Sequence, residues 1–430
     1  MSKHARVGGP ARLILAGAAL ALVTATVVAA QERTTDQLVR FHQSRVAADP
    51  DDPLAHNRLA AAYVQKARES GDLTYYGLAE QTARRSLQLL PSGPAAARAT
   101  TVLAVVDLAR HEFSQTLVHA RAALDLNPDD GAPQAVAGDA LVELGEYDQA
   151  AQAYARLATR EGPRGPDSRV AYLKFLRGDL RGAIASMRQA VAVTAASNPV
   201  GEPVAWTRAQ LGDLLFHAGE LDGADAAYRE ALAATPGYHR ALAGAARVRA
   251  ARGRHGEAAE LYRKALAVIP LPEYAAALGD VYTRMGRAED ARKQYALVEY
   301  IGRLSALNKT VYNRELALFY ADHDQRLPEA LELARRELEA RRDVYTHDVL
   351  AWALYKNGRA REAQAAMTEA LRLGTADARL FFHAGMIHRA LGETDQARDA
   401  LARALALNPK FHVLQAEVAA RALSELGGRR

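Results

Sequence analysis

Residues 206–295 read WTRAQLGDLLFHAGELDGADAAYREALAATPGYHRALAGAARVRAARGRHGEAAELYRKALAVIPLPEYAAALGDVYTRMGRAEDARKQY. The stretch repeats on itself. Gly219, Gly253 and Gly286 are spaced by 34 and then 33 residues, and so are Ala224, Ala258, Ala291 and Tyr228, Tyr262, Tyr295. Pro236 and Pro270 close two successive units. A fixed period of this length means one supersecondary unit stacked on copies of itself.

Each unit reads as two helices. Leu211 and Leu215 are four apart and share a helix face. Gly219 can end that helix, because glycine takes the left-handed conformation without steric cost. Ala224, Tyr228 and Ala231 recur at i, i+4 and i+7 on a second helix, which Pro236 stops. Small residues such as Gly212 and Ala224 let the pair approach closely, and the tyrosine fills the space beyond.

The set Leu211-Gly212, Leu215, Gly219, Ala224, Tyr228, Ala231 and Pro236 resembles the tetratricopeptide repeat, position for position. The resemblance implies an all-α chain: a right-handed α-solenoid of helix-turn-helix units with a C-terminal capping helix. It also implies a concave groove that takes a peptide or protein.

The period extends outward in both directions. About ten units, some divergent, are expected over 53–410, preceded by an N-terminal helix within 31–52 and followed by a cap and tail over 411–430. Upstream, Leu59, Ala60 and Tyr63 pair with Ala79, Ala83 and Leu87 around a long turn holding Tyr75 and Tyr76, read as packing over that turn. The next unit has His111 at its glycine position, then come units around Gly145 and Gly178. Pro/Gly breaks at 161–168 and 196–203 read either as linkers between lobes or as loops on a continuous superhelix, since helical patterns resume at once on both sides. Downstream, 308–342 is charged and helical with Gln325 where the glycine belongs; the period returns at Gly358 and Gly392, and Pro409 closes the last unit. Phe411–Leu423 reads as the capping helix, which an array needs to cover its last apolar side.

Charge and composition exclude several classes. The 430 residues carry a formal net charge of +5, but Lys3, Arg6 and Arg12 fall in an N-terminal stretch without acids, leaving 52 basic against 50 acidic residues elsewhere. That balance is not a nucleic-acid footprint. With no cysteine, disulfides, thiolate nucleophiles and thiolate metal sites are impossible. Leu13–Ala30 is an uncharged run of 18 residues behind a basic end, so residues 1–30 read as a cleaved signal peptide or an N-terminal membrane anchor. Either places the rest of the chain outside the cytoplasm, in the periplasm or at the outer face of the cytoplasmic membrane.

Catalytic signatures are missing. There is no phosphate loop, dinucleotide fingerprint, nucleophile elbow or HExxH. His383 and His388, five apart, do not share a helix face, and Asp322-His323-Asp324 reads as a solvated turn, so no metal, cofactor or catalytic residue is expected. The carboxylates read as lying on exposed faces.

In tetratricopeptide proteins the residue after the first-helix glycine tends to face the groove. Here that slot holds Asp139, Asp213 and Asp280, with Tyr172 and Arg247 in intervening units. The resemblance does not extend to the asparagine-based carboxylate clamp of chaperone-binding members, since aspartate would repel a carboxylate. Two readings of the three aspartates stand: a ladder favouring a partner with basic groups, or charges that are simply solvated or paired with arginines of neighbouring helices. The expected function is a non-enzymatic interaction scaffold, with an accessory or assembly subunit of a membrane enzyme or secretion complex as the alternative.

Overall fold

The computed structural model describes residues 34–160, 168–197, 199–307 and 313–427. Leu13–Ala30, with its signal or anchor reading, lies outside them. Among the described residues there are twenty-two helices and no strand, and none of the helices is long and apolar enough to cross a membrane.

After a first helix, Thr35–Ala48, capped by the Thr34 hydroxyl and Gln37, ten helix pairs follow in sequence. We number these units by their spans: one, 53–89; two, 93–126; three, 131–160; four, 168–197; five, 202–234; six, 239–268; seven, 272–307; eight, 313–340; nine, 344–371; ten, 378–407. The last helix is Gln415–Gly427. Each helix packs mainly on the one before and the one after it, which makes the array an α-solenoid. Alanines fill the seams: Ala224, Ala258, Ala330, Ala363 and Ala397 are wholly buried at equivalent positions of their second helices.

From unit two onward the turn between paired helices has one conformation. Gly145, Gly178, Gly219, Gly253, Gly286, Gly358 and Gly392 all have positive φ. His111, at φ +62°, adopts the same conformation in unit two without a glycine. In unit eight the slot belongs to Asp324, at φ +53°, not to Gln325: the Asp324 and Gln325 amides donate to Ala321 and Tyr320 as those of Gly219 and Glu220 do to Phe216 and Leu215. Asparagine, aspartate and histidine tolerate this region better than other side chains. The capping helix also differs from expectation. Residues 409–414 stay irregular, because the Asn408 side chain reaches back to the Phe216 carbonyl (2.7 Å) and His412 Nδ1 accepts from the Leu414 and Gln415 amides.

The superhelix is wound tightly enough to touch itself every six units. The Gly71 turn of unit one meets Ile269, just before unit seven; a Cβ at Gly71 would lie 2.7 Å from it. The Arg342 amide donates to the Glu143 carbonyl and Val344 to the Tyr147 hydroxyl, both 2.9 Å, joining unit three to the start of unit nine. Thr375 Oγ1 donates to the Leu176 carbonyl (2.7 Å), and a Cβ at Gly178 would lie 2.7 Å from the Gly374 carbonyl oxygen. Asn408 and Leu407 repeat the contact on unit five. Glycine is required at these turns twice over, by the positive φ and by the layer pressed against it.

Candidate functional site

Stacked layers turn the concave face into a half-open interior. A cavity of about 590 Å³ lies there, lined mainly by first helices from units three to ten and by the segment 408–413. Nine carboxylates line it against five arginine and lysine side chains, a net of four negative charges with histidines neutral. That corrects the reading of carboxylates as outward-facing: Asp280, Asp343, Asp348 and Asp377 line the cavity and are at most 5% exposed.

Of the slot residues, Tyr172, Asp213, Arg247 and Asp280 share this lining, whereas Asp139 does not. The three aspartates do the same local job. Each accepts a hydrogen bond from the tyrosine fifteen residues on: Tyr154 to Asp139 (2.8 Å), Tyr228 to Asp213 (2.7 Å), Tyr295 to Asp280 (2.9 Å). The preceding glycine makes room for that ring; a Cβ on Gly138, Gly212 or Gly279 would fall 2.2, 2.5 or 2.2 Å from Cε1 of its tyrosine. Gly-Asp with a later tyrosine is therefore a packing device of the unit. Tyr228 is the tightest case, wholly buried between Gly212 and Gly244 of the next unit.

Each aspartate also takes a cation from a following unit. Arg169 binds Asp139 through Nε (2.7 Å) and Nη2 (3.0 Å). Arg247 pairs with Asp213, donates to the Tyr228 hydroxyl (3.0 Å) and lies over the Phe216 ring at 4.4 Å. Burial works against the Arg247 charge, but Tyr228 and Asp213 prevail and push its pKa up. Asp280 accepts from His323 Nε2 (2.7 Å) and lies 3.3 Å from His412 Nε2. Burial would raise the Asp280 pKa; hydrogen bonds from His323 and then His412 outweigh it and hold the carboxyl well below the usual range. So the Asp322-His323-Asp324 turn is not simply solvated: Asp322 accepts from Trp352 Nε1 (2.8 Å) and Gln415 (2.7 Å), and Lys356 pairs with Asp324. Tyr75 and Tyr76 pack half-buried over their turn, Tyr75 with its ring 5.9 Å from Tyr63.

The side chains with room to act sit elsewhere. Arg240, Glu273, Tyr345 and Arg379 line the cavity, and each lies seven residues before its unit's slot, two helical turns back on the same face. Extending the slots at Arg247 and Asp280 by that spacing would have found Arg240 and Glu273; Tyr345 and Arg379 belong to units whose slots, Trp352 and Met386, were not read as groove residues. Glu273 is exposed to the cavity, and its carboxyl is pushed up to about 7, first by the surrounding protein and then by Glu315. Tyr172, 36% exposed, faces the same space. A shell of charges and tyrosines around a cavity of this size can hold an extended polar segment by ion pairs and ring contacts. Among the described residues no group of three or more His, Asp or Glu side chains is placed to hold a metal ion.

Residues 209–276 and 349–426 match the family model described as tetratricopeptide repeat. The two stretches cover units five and six, then nine and ten with the last helix. No curated protein matches. Among solved structures, a tetratricopeptide repeat protein from Parabacteroides merdae ATCC 43184 is 18% identical with a TM-score of 0.35, over 60% of this chain and 96% of that one. Yeast Tom70 is 13% identical with a TM-score of 0.40, over 96% of this chain and 97% of that one.

Proposed function

We propose that this chain is a non-enzymatic scaffold whose superhelix interior binds an extended segment of a partner protein. Arrays of tetratricopeptide repeats suggest protein interaction as the general role. The observation that carries the finer reading is the cavity of about 590 Å³ with its excess of four carboxylates, bordered by Tyr172, Arg240 and Glu273. An acidic interior favours a segment carrying Lys or Arg, and it does so through the whole lining rather than through the three slot aspartates, which are already partnered. A charged lining in a half-open cavity focuses its field, so association is salt-dependent.

The basic, then apolar N-terminus supports a location outside the cytoplasm, by a cleaved signal or an anchor. N-terminal sequencing of the native protein separates the two: a start near Gln31 means cleavage, and an intact start with carbonate-resistant membrane association means an anchor. A full-length chain free in the cytoplasm defeats both.

The binding test is affinity capture from the source organism with residues 31–430, repeated with Tyr172→Ala and with Glu273→Lys, which puts a positive charge where a basic segment would lie. Both side chains face the cavity, so the fold tolerates the changes. Loss of the captured protein with each variant, and weaker capture at higher salt, is expected. Undiminished capture by both would place the partner on another surface.

A further inference from the structure

The chain carries an occupant of its own for this site. Beyond unit ten, residues 409–414 leave the helical path and run along the interior before the last helix begins at Gln415. Asn408 is bonded to unit five through the Phe216 carbonyl (2.7 Å). His412 faces Asp280 of unit seven at 3.3 Å, and Glu417 accepts from Arg284 of the same unit (2.7 Å). Gln415 donates to Asp322 of unit eight (2.7 Å). Lys410, Phe411, His412 and Val413 all line the cavity.

Those residues have the chemistry the lining selects. Lys410 and His412 bring positive or proton-donating groups into a space whose nine carboxylates face four arginines of the repeat units. Phe411 and Val413 bring apolar surface, the first against Phe382 at 5.7 Å and the second against the cluster of units six and seven. Residues 409–414 have no regular secondary structure and are held by single side-chain contacts, polar at His412 and apolar at Phe411 and Val413, so they open at lower free-energy cost than the helices on either side. Tethering gives it an effective concentration in the millimolar range, enough to exclude weak competitors without new contacts.

We propose that residues 410–413, Lys-Phe-His-Val, act as a tethered internal competitor, and that the partner is a segment of the same character, a basic residue beside an aromatic one, which takes their place at Asp280. The proposal rests on the interior being the binding site.

The probe is a fluorescein-labelled peptide copying residues 408–418, titrated by fluorescence anisotropy into the chain from residue 31. The comparison variant is His412→Asp with Glu417→Arg, which sets like charges against Asp280 and Arg284. Hydrogen exchange of 409–417 is followed in both proteins. The variant should bind the peptide at least tenfold more tightly than the parent, and Asp280→Asn added to it should remove the gain. In the parent, 409–417 should exchange faster than the neighbouring helix Thr394–Leu407. Equal peptide binding by parent and variant overturns the proposal. So does exchange of 409–417 no faster than 394–407 in the parent, which would make the segment a fixed wall. If the peptide binds the parent tightly while 409–417 stays protected, the competitor role falls and the interior site stands.

Discussion

Gly244→Ala tests the packing logic where one wholly buried ring meets two glycines. The added Cβ would lie 2.3 Å from both Cε1 and Cζ of Tyr228. Ordinary carbon contacts are ~3.5–4.0 Å, so two ring atoms are overlapped by more than ~1 Å. The ring cannot retreat. Gly212 closes its other side, it is wholly buried, and its hydroxyl is held by Asp213 (2.7 Å) and Arg247 (3.0 Å). Replacing a helix-interior glycine by alanine ordinarily gains ~1 kcal/mol. Overpacking a closed seam costs roughly 1–3 kcal/mol, and with no direction of escape the upper end applies, so the net loss should be about 1–2 kcal/mol. The sign should invert once the ring is gone. In a Tyr228→Leu background, itself costly, Gly244→Ala should be neutral or stabilising by up to ~1 kcal/mol. The assay is a double-mutant cycle on local opening free energies from hydrogen exchange across 202–268, because arrays of repeats need not unfold in one step. A coupling of at least ~1.5 kcal/mol is expected; additivity within ~0.5 kcal/mol would refute the close approach of ring and helix.

Other consequences are as direct. Ala258→Leu, at a wholly buried seam position, should cost roughly 1–3 kcal/mol and raise exchange over 240–295 well before 350–410; uniform loss of protection would contradict nearest-neighbour packing. Gly178→Ala and Gly253→Ala each place a side chain at positive φ (+80° and +74°) at a cost of ~1–2 kcal/mol, but only Gly178 faces another layer, so only its variant should also speed exchange at 374–377. Matching effects there from both variants would rule out the layer contact. Because the Glu273 pKa is raised to about 7, the folded chain holds that proton more tightly than the unfolded one, and stability falls as pH climbs from its ordinary value of 4.5 through 7. The side chain meets cavity water, which limits the effect to about 1 kcal/mol. Urea melts of Glu273→Gln at pH 5 and pH 8 should show the pH-dependent loss smaller by that amount, and an unchanged difference would mean that neither the surrounding protein nor Glu315 raises the carboxyl.

The repeat was legible because its cause is local. The glycine turn, the alanine seam and the tyrosine after Gly-Asp are contacts within a unit or between neighbours, and so recur at the period of the sequence. His111 and Asp324 show where this reading weakens: the turn conformation persists while the residue that announces it changes. The three aspartates were found, and of the two readings given for them the structure shows pairing, with Arg169, with Arg247 and with His323 and His412. The half-open interior was not legible. It depends on the superhelix returning after six units, which sums small rotations that no single residue encodes, and the bonds that record it join positions about 200 apart, such as Thr375 to Leu176. The path of 409–414 along the interior was hidden for the same reason: 411–423 has a helical pattern, and only contact with unit five explains why the helix waits until Gln415.

The central claim is that the partner lies inside the superhelix, and site-specific photo-crosslinking addresses it most directly. A benzophenone amino acid at Tyr172 looks into the cavity, while the same group at Arg188, on the second helix of the same unit, is exposed and does not line the cavity. Irradiation in the native host should couple a partner protein to the Tyr172 position and not to the Arg188 position, with the crosslink mapping to a partner segment that holds a basic residue beside an aromatic one. Crosslinks from Arg188 alone would contradict the claim and put the interaction on the outer face.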